Sequence, residues 1–123
     1  MKTHQLSFAK IIIIKDNLAE VIVDDGVLID LKKVGEYHEF LLTHLRAPFS
    51  LLVNKKHSYT YTFKAQTEIA SLNQIKAMAV VVEGFNAKKS TDFLISMNNM
   101  SRVWNIQTFM LREEALVWLE KQE

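Results

Sequence analysis

The spacing of apolar positions changes along the chain, and each change marks an element. Residues 6–14 are rich in β-branched side chains and broken only by Ser7 and Lys10, Lys15-Asp16-Asn17 is turn chemistry, and the apolar pattern resumes over 19–23. This predicts an antiparallel hairpin. The unbroken run from Ile11 to Ile14 predicts a strand covered on both faces, and Asp24-Asp25-Gly26 makes a second turn.

Asp30 is a good N-cap for a helix running to about Leu45, with Ile29 and Val34 placed as a hydrophobic staple across the cap. Leu31, Val34, Tyr37, His38, Leu41, Leu42 and Leu45 recur at three-and-four spacing, one stripe that lies on a sheet. Ala47-Pro48 ends the helix, because a residue before proline is pushed away from helical angles, and 49–53 reads as a short buried strand. The spacing of Phe63, Ile69 and Leu72 predicts a second helix over 63–72.

The run 77–82, with its three valines, predicts a central parallel strand. Gly84 and Asn86 break it; a helix over 87–97 carries Phe93, Leu94 and Met97 inward, and 98–101 is a loop. Residues 104–109 alternate as a last strand, and 112–121 closes as a helix whose Glu113 and Glu114 favour its positive N-terminal end. Strands that alternate with helices imply an α/β fold. The expectation is one domain over 1–123: a mixed sheet of about five strands opened by an antiparallel hairpin, with about four helices.

Composition narrows the function classes. The 123 residues are 49% hydrophobic and 24% charged, which fits one self-sufficient core. A net charge of +1 offers no overall field for nucleic acid or an anionic membrane. The absence of cysteine removes thiolate chemistry, disulfides and Cys-type metal sites. No signal-peptide pattern and no window approaching about 18 apolar residues is present, so a cytoplasmic protein without a membrane span is expected.

No pair among His4, His38, His44 and His57 has the spacing of a helical zinc site, so no metal or other cofactor is expected. Gly26, Gly35 and Gly84 stand too far apart for a phosphate loop. Asp24-Asp25 lies in a turn, where adjacent carboxylates are usually solvated. An enzymatic reading would rest on His57 with Tyr59 or a nearby acid, without any of the usual motifs, and the expectation is a protein that is not an enzyme.

One segment is unusual. Asn54-Lys55-Lys56-His57-Ser58-Tyr59-Thr60-Tyr61-Thr62 gathers two lysines, a histidine and five hydroxyls between a buried strand and a helix start. Open α/β sheets place ligand sites at such strand ends, and the free N–H groups of a helix start favour an anion or an added phosphate. Lys55, Lys56, His57, Ser58, Tyr59, Thr60 and Thr62 are therefore candidates for partner binding or phosphorylation. The same residues also read as a half-exposed strand, hairpinned to 49–53 through 54–57, with Ser58, Thr60 or Thr62 serving only as an N-cap. Met97 and Met100 with Phe93 read either as a soft partner surface or as core.

The element order, together with Asp24-Asp25-Gly26, Leu52-Val53-Asn54-Lys55-Lys56, the run from Ser58 to Phe63, Ala79-Val80-Val81-Val82 and Arg112-Glu113-Glu114-Ala115-Leu116, resembles small STAS-like proteins. These are kin of the anti-sigma-factor antagonist SpoIIAA, and the likeness is to stand-alone domains of Bacteroidetes-type bacteria. The resemblance implies a STAS-like fold and a regulatory module that switches protein partners, a kinase or sigma-regulatory protein among them, when a serine is phosphorylated. Ser58 is the serine nearest the matching position, although the family's Asp-Ser-Ser-Gly-type motif is absent. The resemblance also admits a homodimer and, through the related lipid-carrying CRAL-TRIO arrangement, a carrier of a small apolar or lipid-like ligand. Leu111 stands where the last helix of such proteins often has an Asp cap.

Overall fold

The computed structural model describes residues 1–84, 88, 89, 91 and 105–122. The strands are β1 (Lys2–Gln5), β2 (Ala9–Lys15), β3 (Leu18–Val23), β4 (Leu28–Ile29), β5 (Phe49–Asn54), β6 (Thr60–Tyr61), β7 (Ile75–Val81) and β8 (Ile106–Phe109). The helices are α1 (Leu31–His44), α2 (Phe63–Glu68) and α3 (Arg112–Lys121). Most of the helix expected over 87–97, the loop 98–101, the surface around Phe93, Met97 and Met100, and Trp104 lie outside the described residues.

Six strands form the main sheet in the order β1-β2-β3-β5-β7-β8. The pairs β1–β2 and β2–β3 are antiparallel, whereas β3, β5, β7 and β8 run parallel. The expected opening hairpin is β2–β3, and β7 is the parallel strand that its valines predicted, placed between β5 and the edge strand β8 rather than at the sheet's centre. The sheet gains one strand over the expectation, because the polar segment Lys2–Gln5 pairs along the free edge of β2. An edge strand needs no apolar alternation, so the pattern did not reveal it.

The segment 58–63 corrects a second expectation. Thr60–Tyr61 does not hairpin onto β5, whose two edges are taken by β3 and β7; it pairs in parallel with Leu28–Ile29 as a separate two-stranded ribbon. This ribbon sets the two helix starts side by side. Asp30 caps α1 by accepting from the Lys33 N–H at 3.0 Å, and Thr62 caps α2 by accepting from the Ala65 N–H at 3.2 Å. The staple residues Ile29 and Val34 are both buried. The helix expected over 63–72 is the six-residue α2, which ends at Glu68, and Phe63, whose spacing helped to predict it, opens it from an exposed position.

Register divides the core in two. Val21, Val53 and Val80 stand level across β3, β5 and β7, as do Leu51, Met78 and Ile106 across β5, β7 and β8, on the face covered by α1 and α2. Leu18, Leu52, Ala77, Ala79 and Val81 face the other way, and α3 seats Ala115 and Leu119 on them. The small Ala77 and Ala79 side chains let α3 approach the sheet closely. Among the described residues no helix is long and apolar enough to cross a membrane.

Candidate functional site

Between the sheet and its α1/α2 cover lies a cavity of about 100 Å³. The valine row Val21, Val53 and Val80 forms its floor, with Met78 and Ile106 beside it and Ile69 and Ala70, just past the end of α2, also lining it. Its polar atoms come from Lys55, Tyr37, Tyr59, Tyr61, Gln66 and Thr91; among the described residues no carboxylate lines it.

The local backbone explains why Lys55 is there. Its N–H donates to the Val81 carbonyl at 2.8 Å, extending the β5–β7 ladder past the end of β5. Strand alternation then puts Lys55, two residues beyond Val53, on the cavity face. Its Nζ sits 5.3 Å from the centre of the Tyr59 ring and has no ion pair among the described residues. Burial pushes its pKa below the ordinary lysine value.

The ribbon supplies the other wall. Tyr59 and Tyr61, two residues apart and so on the same side of the extended segment, pack edge to face with ring centres 5.6 Å apart. Among the described residues the buried Tyr59 hydroxyl has no hydrogen-bond partner at normal geometry, while the neighbouring Tyr61 is near enough to act on its ionisation. Burial raises the pKa of Tyr37, Tyr59 and Tyr61, so all three hydroxyls remain protonated donors at neutral pH.

The candidate residues therefore separate. Lys55 and Tyr59 meet in the cavity wall, whereas Lys56, His57, Ser58 and Thr60 are exposed outside it. Ser58 is held by its backbone: its N–H donates to Asp25 Oδ1 at 3.1 Å and its carbonyl accepts from Gly26 at 2.7 Å. Gly26 can make that turn because it adopts a positive φ of 76°. Thr60 donates its N–H to the Val27 carbonyl, and Thr62 is spent as the α2 cap. Pattern reading took Tyr37 only as core and passed over Gln66; both face the cavity.

A second depression, of about 340 Å³, lies at the other end of β7 and β8. Its polar residues Lys76 and Asn105 are exposed, so it lacks a buried polar group that a ligand would satisfy.

On the α3 face one polar cluster went unread. Glu20, 3% exposed, accepts from Arg112 Nη2 at 2.8 Å, from Arg112 Nε at 3.1 Å and from Asn54 Nδ2 at 3.0 Å. Burial pushes the Glu20 carboxyl up, but these donors and the Arg112 charge together outweigh it and hold the pKa below the ordinary value. A lone carboxylate inside an apolar strand was the available signal, since such a group is buried only with a partner. The histidines have local roles: His38 Nε2 donates to the Ile69 carbonyl at 3.0 Å, His44 Nδ1 donates to the Phe40 carbonyl at 3.1 Å, and the His4 ring stands edge-on to Phe40.

No family model and no curated protein matches the chain. Among solved structures it is similar to an uncharacterised protein of the DUF3478 family with a SpoIIAA-like fold from Shewanella loihica PV-4. The TM-score is 0.58 at 12% identity, over 96% of this chain and 90% of that one. The chain has a SpoIIAA-like mixed α/β fold.

Proposed function

We propose that this protein is a non-enzymatic, STAS-like binding module that takes a small, largely apolar ligand between its sheet and the α1/α2 cover. The observation that carries this reading is the cavity over the Val21-Val53-Val80 row, lined mostly by apolar side chains with a few polar ones among them. That combination is the usual make-up of a small-molecule site. Titration with hexan-1-ol, followed by amide NMR, is expected to shift the signals of Val21, Val53, Val80 and Ile69. If those signals stay still while the alcohol reaches millimolar concentration, the reading is wrong.

A second reading rests on a different observation: Ser58 and Thr60 are exposed on the segment that carries Tyr59 into the cavity wall. In this reading the surface of residues 54–63 docks a protein partner and a phosphate on Ser58 tunes the docking. A phosphate there adds about −1.5 to −2 charges beside the Asp25 carboxylate and within reach of Lys56 along the chain. Phosphate mapping of protein purified from its native cell tests it, and an unmodified Ser58 under all growth conditions would remove the switch.

A further inference from the structure

We propose that the ligand of this cavity is a small amphipathic acid, its single anionic head held by Lys55 and Tyr59 and its apolar tail lying on the valine floor. This inference rests on the cavity reading above and names the chemistry that the site selects.

Three features of the site point the same way. Lys55 is the only cation lining the cavity among the described residues, and no carboxylate lines it. The ammonium group is left with the face of the Tyr59 ring, which offsets only part of the cost of taking a charge out of water. Among the described residues the buried Tyr59 hydroxyl has no hydrogen-bond partner, a state that native structures seldom leave unexplained. The ionisable side chains facing Lys55 from the elements around it are Tyr37 of α1 and Tyr59 and Tyr61 of the ribbon segment, all of which stay neutral donors.

A carboxylate answers both vacant groups at once. It accepts from the Lys55 ammonium and from the Tyr59 O–H, and it supplies the countercharge the wall lacks. A neutral head of the same size satisfies the hydroxyl but leaves the ammonium uncompensated. Size limits the tail: about 100 Å³ is well below the roughly 300 Å³ at which pockets for drug-sized ligands begin, so only a short chain fits. Short-chain monocarboxylic acids meet both limits.

The test is a matched pair, sodium hexanoate and hexan-1-ol, titrated into wild type and into Lys55→Met, whose side chain keeps the length and drops the charge. Wild type is expected to bind hexanoate about tenfold more tightly than the alcohol, the worth of one charge-assisted hydrogen bond. Lys55→Met is expected to lose that preference and to keep the alcohol. Since burial lowers the Lys55 pKa, wild-type affinity for hexanoate should fall as the pH is raised through it, while affinity for the alcohol holds steady. This measurement needs no variant to fold. If wild type binds the alcohol as well as the acid, or Lys55→Met binds hexanoate like wild type, the acid assignment fails and the cavity reading survives. If neither probe binds, both fall together.

Discussion

On the α3 side of the sheet Glu20 accepts hydrogen bonds from three donor groups of Arg112 and Asn54 and is matched by a positive charge. On the α1/α2 side, among the described residues, Lys55 faces no carboxylate and the Tyr59 hydroxyl has no hydrogen-bond partner. The same strands carry both arrangements, since Asn54 and Lys55 are consecutive residues pointing to opposite faces. Packing differs in step. Alanines on β7 pack in one buried cluster with Ala115 and Leu119, whereas the valine row faces an opening. A saturated polar cluster in a closed layer explains itself as structure. Unsaturated groups around a cavity call for a molecule to complete them, and that is why function is assigned to one face and stability to the other.

The sharpest way to break this contrast is to add volume to each face. Ala79→Leu forces a branched side chain beneath α3, where Ala79 has no exposed surface, and is expected to destabilise the fold by about 3 kcal/mol. Val53→Phe places its ring in existing space; it should change stability by less than about 1 kcal/mol and abolish hexan-1-ol binding. Urea denaturation of both variants decides the matter, and equal losses would mean that the two layers are packed alike.

Next in size is the polar cluster. Arg112→Ala leaves the Glu20 carboxylate buried with Asn54 alone and is expected to cost about 2 kcal/mol, below the range for fully buried pairs because the Arg112 side chain is 43% exposed. Since the folded-state pKa of Glu20 is depressed, the pair's contribution is complete above the unfolded value of 4.5 and fades as the pH falls through the lower folded value. Wild type should therefore lose stability in that acid window relative to Glu20→Gln, which has no carboxyl to titrate. Parallel stability curves for the two proteins between pH 6 and about pH 2 would refute the assignment.

Which of these features could be read in advance depends on how local their signals are. The hairpin, α1, β7 and α3 each announce themselves within one stretch: a β-branched run, an Asp30 cap with a periodic stripe, a valine run, a charged first turn. The ribbon does not, because Leu28–Ile29 and Thr60–Tyr61 are two residues each and their parallel pairing spans 32 positions. The site was half legible. Lys55 and Tyr59 stood out by composition, but their separation from Lys56, His57, Ser58 and Thr60 follows from the ladder bond of Lys55 to Val81, a partner no nearby residue signals. Glu20 and Arg112, 92 positions apart, are the extreme case.

The smallest effect probes the same contrast one atom at a time. Removing the Tyr59 hydroxyl deletes a buried group with no partner, so Tyr59→Phe should leave stability unchanged or raise it by up to about 1 kcal/mol. Asn54→Ala deletes a donor that Glu20 uses, and a loss of about 1 kcal/mol is expected. Thermal denaturation of the two variants reads the sign of each change, and the sign carries the argument. A hydroxyl kept for stability must cost something when it is lost. If Tyr59→Phe melts below wild type while Asn54→Ala melts at the wild-type temperature, Tyr59 belongs to the scaffold and the ligand loses one of its two anchors. If the order is the expected one, the fold keeps the Tyr59 hydroxyl at no gain to itself, and the group is left to serve whatever enters the cavity.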